Sequence, residues 1–262
     1  MKKGFTLVEV FLTLGIIGII AAMTIPSMIH VSTKKATIEQ LKKSAATLNT
    51  AVYNATITNG EVSTWRWQAD DGILDIMQNI ISPRLNIGYM CSGDVNNISR
   101  QCRYTVDGLD GKEAEILNGF DSKTRVVLND GSLIAFAGGF PEENQGGGAG
   151  GSGSGGGSAD GDKDKPVNPC SWGADDQAIC GIFLIDVNGS EKPNIVGRDV
   201  FFYALHLNGA VLPFGANQTE DFIDENCSKE GDGVSGKTCA AKLVNGGWDV
   251  CYTCDKPYPA IF

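Results

Sequence analysis

The chain has 262 residues, 42% hydrophobic and 20% charged, and its 21 Lys and Arg against 31 Asp and Glu leave a formal charge of −10. That length suits one ordinary domain or two small ones, and the composition excludes wholesale disorder and a multi-pass membrane protein. The acidic balance excludes a general electrostatic footprint for nucleic acid or anionic lipid, while eight cysteines among 34 glycines point to disulfides in an oxidising compartment.

From Phe5 to Ile29 the chain runs 25 residues with a single ionisable group, Glu9. As a helix that run measures about 37 Å, enough for a hydrocarbon core of about 30 Å. It does not read as an ordinary secretory signal, because the apolar run starts directly after Lys2-Lys3-Gly4 and ends at no small-residue cleavage site. The basic pair favours a cytoplasmic N-terminus, although Lys34 and Lys35 lie beyond the other end. Ile38, Leu41, Ala45, Leu48, Val52 and Ala55 then recur at spacings of three and four, which predicts that the helix continues to about Thr56 with one buried stripe. A short second helix is predicted over Asp71–Ser82, stopped by Pro83.

Strands are predicted at Thr124–Leu128, Ser132–Ala137, Gly181–Val187, Val200–Leu207 and Ala210–Phe214. Asn129-Asp130-Gly131, Asn188-Gly189 and Asn208-Gly209 between them read as hairpin turns. The expected architecture is α+β: one long helix packed on four or five antiparallel strands. Between the second and third strands lies GGGAGGSGSGGGS, residues 146–158, a flexible segment whose r.m.s. reach is about 20 Å. The chain divides accordingly into a basic start (1–4), a long helix (5–56, with 5–29 apolar), a first globular part (57–145), a flexible loop (146–169) and a Cys-rich second part (170–262). A boundary between two head subdomains is the other reading of that loop.

The cysteines stand at 91, 102, 170, 180, 227, 239, 251 and 254. Sequence proximity favours Cys91 with Cys102 and Cys170 with Cys180, each closing a polar loop. The last four pair as Cys227–Cys239 with Cys251–Cys254, or nest, and spacing leaves both open. Zinc finds little support, since only one C-x-x-C occurs, Cys251-Tyr252-Thr253-Cys254.

Two further matches fail on context. Gly231-Asp232-Gly233-Val234-Ser235-Gly236-Lys237-Thr238 fits the phosphate-loop pattern letter for letter, but the residues before it are polar and acidic where a buried strand is needed. Gly151 to Gly156 fits a dinucleotide fingerprint inside a low-complexity run, where the match says nothing. Catalysis is not expected, with two histidines only, His30 at the membrane edge and His206 half-exposed in a strand. No cofactor is required. One ion site is conceivable: Asp186 and Asn188 on a tight turn, with Asp199 further on, alternate oxygen side chains in a way that suits Ca²⁺. The loop departs from the EF-hand pattern, and the competing reading is that Asp186 and Asn188 are ordinary turn residues.

Lys2-Lys3-Gly4 followed by Phe5-Thr6-Leu7-Val8-Glu9 resembles the class III leader of type IV pilins and type II secretion pseudopilins. The resemblance covers residues 1 to about 55. It implies cleavage after Gly4 by prepilin peptidase, methylation of the new amine on Phe5, and pairing of Glu9 with the Phe5 ammonium of a neighbouring subunit. Pro26 also fits the family pattern. The fold implied is pilin-like, and a disulfide-stapled carboxyl-terminal loop resembles the one that closes many pilin heads. Implied partners are further copies of the chain, minor pilins, the peptidase, an inner-membrane assembly platform and the membrane itself. The implied location is a single-pass inner-membrane precursor with a cytoplasmic N-terminus, whose head is periplasmic and then extracellular in a pilus. A periplasmic piston of pseudopilins is the alternative within the family, and a non-polymerising anchored binding module is the alternative from another class.

Overall fold

Thr6 starts the longest element. In the computed structural model, which describes residues 6–67, 72–91, 102, 105–114, 120, 122–138, 170, 178–231 and 234–248, α1 runs from Leu7 to Asn59 without interruption. Of residues 25–31 only the helical backbone is described, so the side chain of Pro26 lies outside the described residues, as do Gly4, Phe5, residues 146–169, Cys251 and Cys254. Fifty-three residues make a rod of about 80 Å, and Gly60 with φ +82° ends it. The two halves of α1 have different surroundings. Leu7–Thr24 has a mean hydropathy of 2.2 and none of it is buried, whereas Leu41, Leu48, Val52 and Ala55 are completely inaccessible and Ile38 and Ala45 nearly so. The stripe read from the sequence is therefore the face that meets the rest of the chain.

After α1 the expected helix over Asp71–Ser82 is present in three tighter or wider turns: α2 (Gly72–Asp75), a π-helical turn (Ile76–Ile81) and a 3₁₀ turn (Ser82–Arg84) containing Pro83. Ile76, Met77, Ile80 and Ile81 are buried against α1. Strands follow as β1 (Ile87–Met90), β2 (Arg125–Leu128), β3 (Leu133–Ala137), β4 (Ile179–Asp186), β5 (Val200–His206) and β6 (Val211–Pro213). They form one antiparallel sheet in the order β1-β2-β3-β4-β5-β6. The sheet has six strands, not four or five. The strand missed is β1, whose four residues include Gly88 and a half-exposed Tyr89, too short and without the apolar alternation that marks a strand. Because β3 and β4 are neighbours, the Gly/Ser-rich segment falls between adjacent strands, and both head parts contribute to the same sheet.

Alternate residues of the central strands point to two separate cores. Ile134, Phe136, Phe183, Ile185, Phe201, Tyr203 and Leu205 pack with α1, while Leu133, Ala135, Ile182, Leu184, Phe202 and Ala204 pack with Val106, Ala114 and Phe120 on the far face. A sheet buried on both faces reads as continuous apolar runs, which is why β3, β4 and β5 carry hardly a polar residue. The far layer is held in part by Arg125, nearly buried, whose Nη1 donates to the carbonyl of Cys102 (3.1 Å) and whose Nη2 donates to that of Phe120 (2.7 Å). Two short helices not anticipated from sequence, α3 (Glu220–Asn226) and α4 (Cys239–Asn245), pack on each other beside the sheet.

Among the described residues three disulfides join Cys91 to Cys102, Cys170 to Cys180 and Cys227 to Cys239. Each closes a loop of ten to twelve residues, and Cys227–Cys239 ties the end of α3 to the start of α4. Loops of that size constrain the unfolded chain by about 3 kcal/mol each on the chain-entropy account.

Candidate functional site

Two places in the chain carry chemistry that packing alone does not explain. The first is the start of α1. Thr6 is extended (φ −81°, ψ 150°), so its Oγ1 accepts from the Glu9 amide at 3.3 Å, while its own amide and hydroxyl both donate to one Glu9 carboxylate oxygen, at 2.9 and 2.8 Å. This reciprocal cap places the one carboxylate of the apolar half against the first backbone donors of the helix, where the peptide dipoles favour negative charge. Around it Leu7 (74% exposed), Val8 and Phe11 stand open, and nothing lies within 4 Å of where a Cβ on Gly15 or Gly18 would be. The apolar half of α1 therefore has a satisfied polar end and, among the described residues, no covering partner. The processing positions Gly4 and Phe5 lie outside the described residues.

The second place is the connection from β4 to β5. Asn188-Gly189 was expected to be a tight hairpin turn. Instead the chain makes a thirteen-residue excursion, residues 187–199, through a cis Lys192–Pro193 peptide and a left-handed Asn194 (φ 50°). Gly189 (φ +65°) is required there, because a Cβ would sit 2.5 Å from the carbonyl oxygen of Gly131 in the neighbouring turn. Asp186 closes β4 and Asp199 precedes β5, and the ladder that pairs Asp186 with Val200 brings the two together. Both are buried, Asp186 completely. Asp186 Oδ1 accepts from the Asn188 amide at 3.2 Å, and the Asp199 oxygens accept from the amides of Asn194 (2.8 Å) and Ile195 (2.7 Å). Asp186 Oδ2, Asn188 Oδ1 and Asn194 Oδ1 are buried with no hydrogen-bond partner.

Burial, followed by the negative charge of Asp199, pushes the Asp186 carboxyl well above the usual carboxylate range, against the pull of the Asn188 and Gly189 amides. Burial raises Asp199 too, opposed by the amides of Ile195 and Asn194. A carboxyl raised in the folded state stabilises the fold below its unfolded pKa, about 3.9, and loses that contribution as pH climbs through the raised folded value. In metal-free buffer, Asp186→Asn is accordingly expected to unfold at a higher temperature than the wild type at pH 7, with the gap closing as pH falls to about 4. Thermal melts of the two proteins across that range check it, and a gap independent of pH contradicts it.

Other sequence matches are placed elsewhere. The stretch resembling a phosphate loop follows α3 and precedes the seven-residue α4, with no strand before it, and the hydroxyl of Thr238 donates to the Ile223 carbonyl at 2.8 Å instead of facing a ligand. His206 is buried at the end of β5, not half-exposed, and lines an open groove of about 620 Å³ with Thr56, Ile57, Glu61, Val62 and Leu207. Of the three residues singled out for a cation, Asp186, Asn188 and Asp199, the fold brings all three together. It adds Asn194, which sequence reasoning missed because its amide reaches Asp199 only through the left-handed turn. Among the described residues no three His, Cys, Asp or Glu side chains gather as a metal group. Compared with known proteins, the chain matches no family model, no curated protein and no solved structure.

Proposed function

We propose that the protein is a structural subunit of a type IV pilus-like filament with a pilin-like fold, held in the inner membrane by the first half of α1 until assembly. The observation that carries this reading is the division of α1. One half is wrapped by a disulfide-bonded α+β head, and the other is an exposed apolar rod whose only ionisable side chain is Glu9, five residues after Gly4. A carboxylate costs about 2.5–3.5 kcal/mol at the centre of a membrane-spanning helix and less toward its end, where Glu9 stands, so burying it among neighbouring rods calls for a partner. The cap by Thr6 satisfies Glu9 within the monomer. In a filament the ammonium created on Phe5 of an adjacent copy supplies the opposite charge, and the exposed rods cover one another.

Shearing whole cells and analysing the released fibres and the membranes by mass spectrometry tests this. The expected result is a peptide beginning at Phe5 with a methylated amine in the fibres. The same peptide confined to membranes points to the periplasmic pseudopilin reading, and an intact Met1–Gly4 leader in both fractions ends the whole proposal.

A further inference from the structure

We infer that the groove at the carboxyl-terminal end of α1 receives the Lys35 side chain of a second copy of this chain, whose ammonium pairs there with Glu61. The inference rests on the filament reading above and names a contact between heads within it. Two opposite charges stand at the two ends of the half of α1 that the head wraps. Lys35 is exposed a few residues beyond the apolar run, Glu61 is exposed two residues past the end of the helix, and among the described residues neither forms an ion pair. The end of α1 is itself a negative pole, because its last carbonyls carry the helix dipole and no basic residue stands in that turn.

The groove suits the rest of a lysine side chain. Ile57, Val62, Ala178 and Leu207 offer apolar walls to the aliphatic stem, and the exposed Glu61 takes the charge. Those walls are held before a partner arrives. Trp65 Nε1 donates to the Gly60 carbonyl at 3.1 Å, the β5–β6 turn lies so near α1 that a Cβ on Gly209 would come within 3.1 Å of Thr56 Cγ2, and Cys180, two residues from Ala178, is tied to Cys170. Lys35 and Tyr53 are eighteen residues apart, about five full turns, so they stand on one line of α1 with Ile57 about 40° away. The head leaves that line open, since Tyr53 is 64% exposed and Ile57 67%. Rods packed side by side and pointing one way differ only by rotation and axial offset. A copy offset by about 36 Å, the length of α1 from Lys35 to Asn59, brings its Lys35 level with the groove of the copy behind it. The contact joins two different patches, so it repeats along a fibre and does not close into a dimer.

The test uses the full chain in its own cells, with sheared fibres and membranes immunoblotted for the wild type, Glu61→Lys, Lys35→Glu and the double variant carrying both changes. Each single change sets like charges across the contact and is expected to lower fibre yield about tenfold or more with the membrane level unchanged. The double variant exchanges the two charges and is expected to recover most of the wild-type yield, which damage to folding or insertion would not produce. Wild-type yield from both single variants, while Glu9→Ala abolishes fibres, overturns the inference and leaves the filament reading standing. A double variant as poor as the single ones overturns the pairing of Lys35 with Glu61. Absence of the wild-type chain from sheared fibres overturns the filament reading and this inference with it.

Discussion

Replacing Glu9 with Ala is expected to remove the chain from sheared fibres while leaving it in the membrane fraction. In the proposed filament the substitution strands the Phe5 ammonium of each neighbour without its carboxylate in a low-dielectric core. Breaking one side of a buried ion pair costs about 3–5 kcal/mol, or a factor of about 10² to 4 × 10³ in each subunit contact, repeated at every step of the fibre. Insertion is not impaired, since the apolar half of the helix loses its one ionisable residue. The change also removes the cap, in which the Thr6 amide and hydroxyl donate to Glu9, but a lost cap costs only about 1 kcal/mol and acts on the first turn of a 53-residue helix. Glu9→Gln separates the two causes: it keeps an oxygen for Thr6 and discards the charge, so it is expected to fail in assembly as Ala does. Immunoblots of sheared and membrane fractions give the answer, and wild-type fibre yield from either variant contradicts the assembly role of Glu9.

The largest effect on the head is expected from Leu48→Ala. Leu48 is fully inaccessible on the stripe by which α1 meets the sheet, in the core that also holds Leu41, Val52, Phe183 and Tyr203. Alanine is at least as good a helix former as leucine, so the loss is packing and not helix propensity. Truncation of this kind costs about 2–5 kcal/mol, against a total stability of about 5–15 kcal/mol for a domain. Trp65 and Trp67 stack on each other at 6.3 Å, and Trp67 lies against Phe136 in the same core, so their fluorescence reports loss of that packing during urea unfolding with the disulfides intact. Ile57→Ala, at a position 67% exposed near the end of the same helix, serves as the control and is expected to shift stability by less than about 0.5 kcal/mol. Equal effects from the two would mean that the stripe is not what fastens α1 to the head.

Much of this architecture was legible in local pattern. The period of the apolar residues over 38–55 marks the buried face of α1 because a helix repeats every 3.6 residues wherever it packs. The Asn129-Asp130-Gly131 and Asn208-Gly209 turns join β2 to β3 and β5 to β6 as read, since their backbone demands are met by the turn residues themselves. Cys91–Cys102 and Cys170–Cys180 join as proximity favours, and Cys227–Cys239 is one of the two pairings that spacing left open. The misreadings fall where distant segments decide. β1 is strand only because β2 offers it a ladder, and the second layer over the far face of the sheet comes from Val106, Ala114 and Phe120, scattered residues with no period of their own.

Local pattern is enough for the division of the chain: an apolar run of membrane length broken by one carboxylate, an amphipathic continuation, and strands with turns between them. Those properties depend on residues a few positions apart, within reach of one helical turn or one hairpin. Only the folded chain shows that Asp186 and Asp199 are buried side by side and that the Asn194 amide joins them. That arrangement arises from the pairing of β4 with β5 and the excursion between them, which together bury Asp186, Asn194 and Asp199 and leave the Oδ2 of Asp186 and the Oδ1 of Asn188 and Asn194 with nothing to accept from.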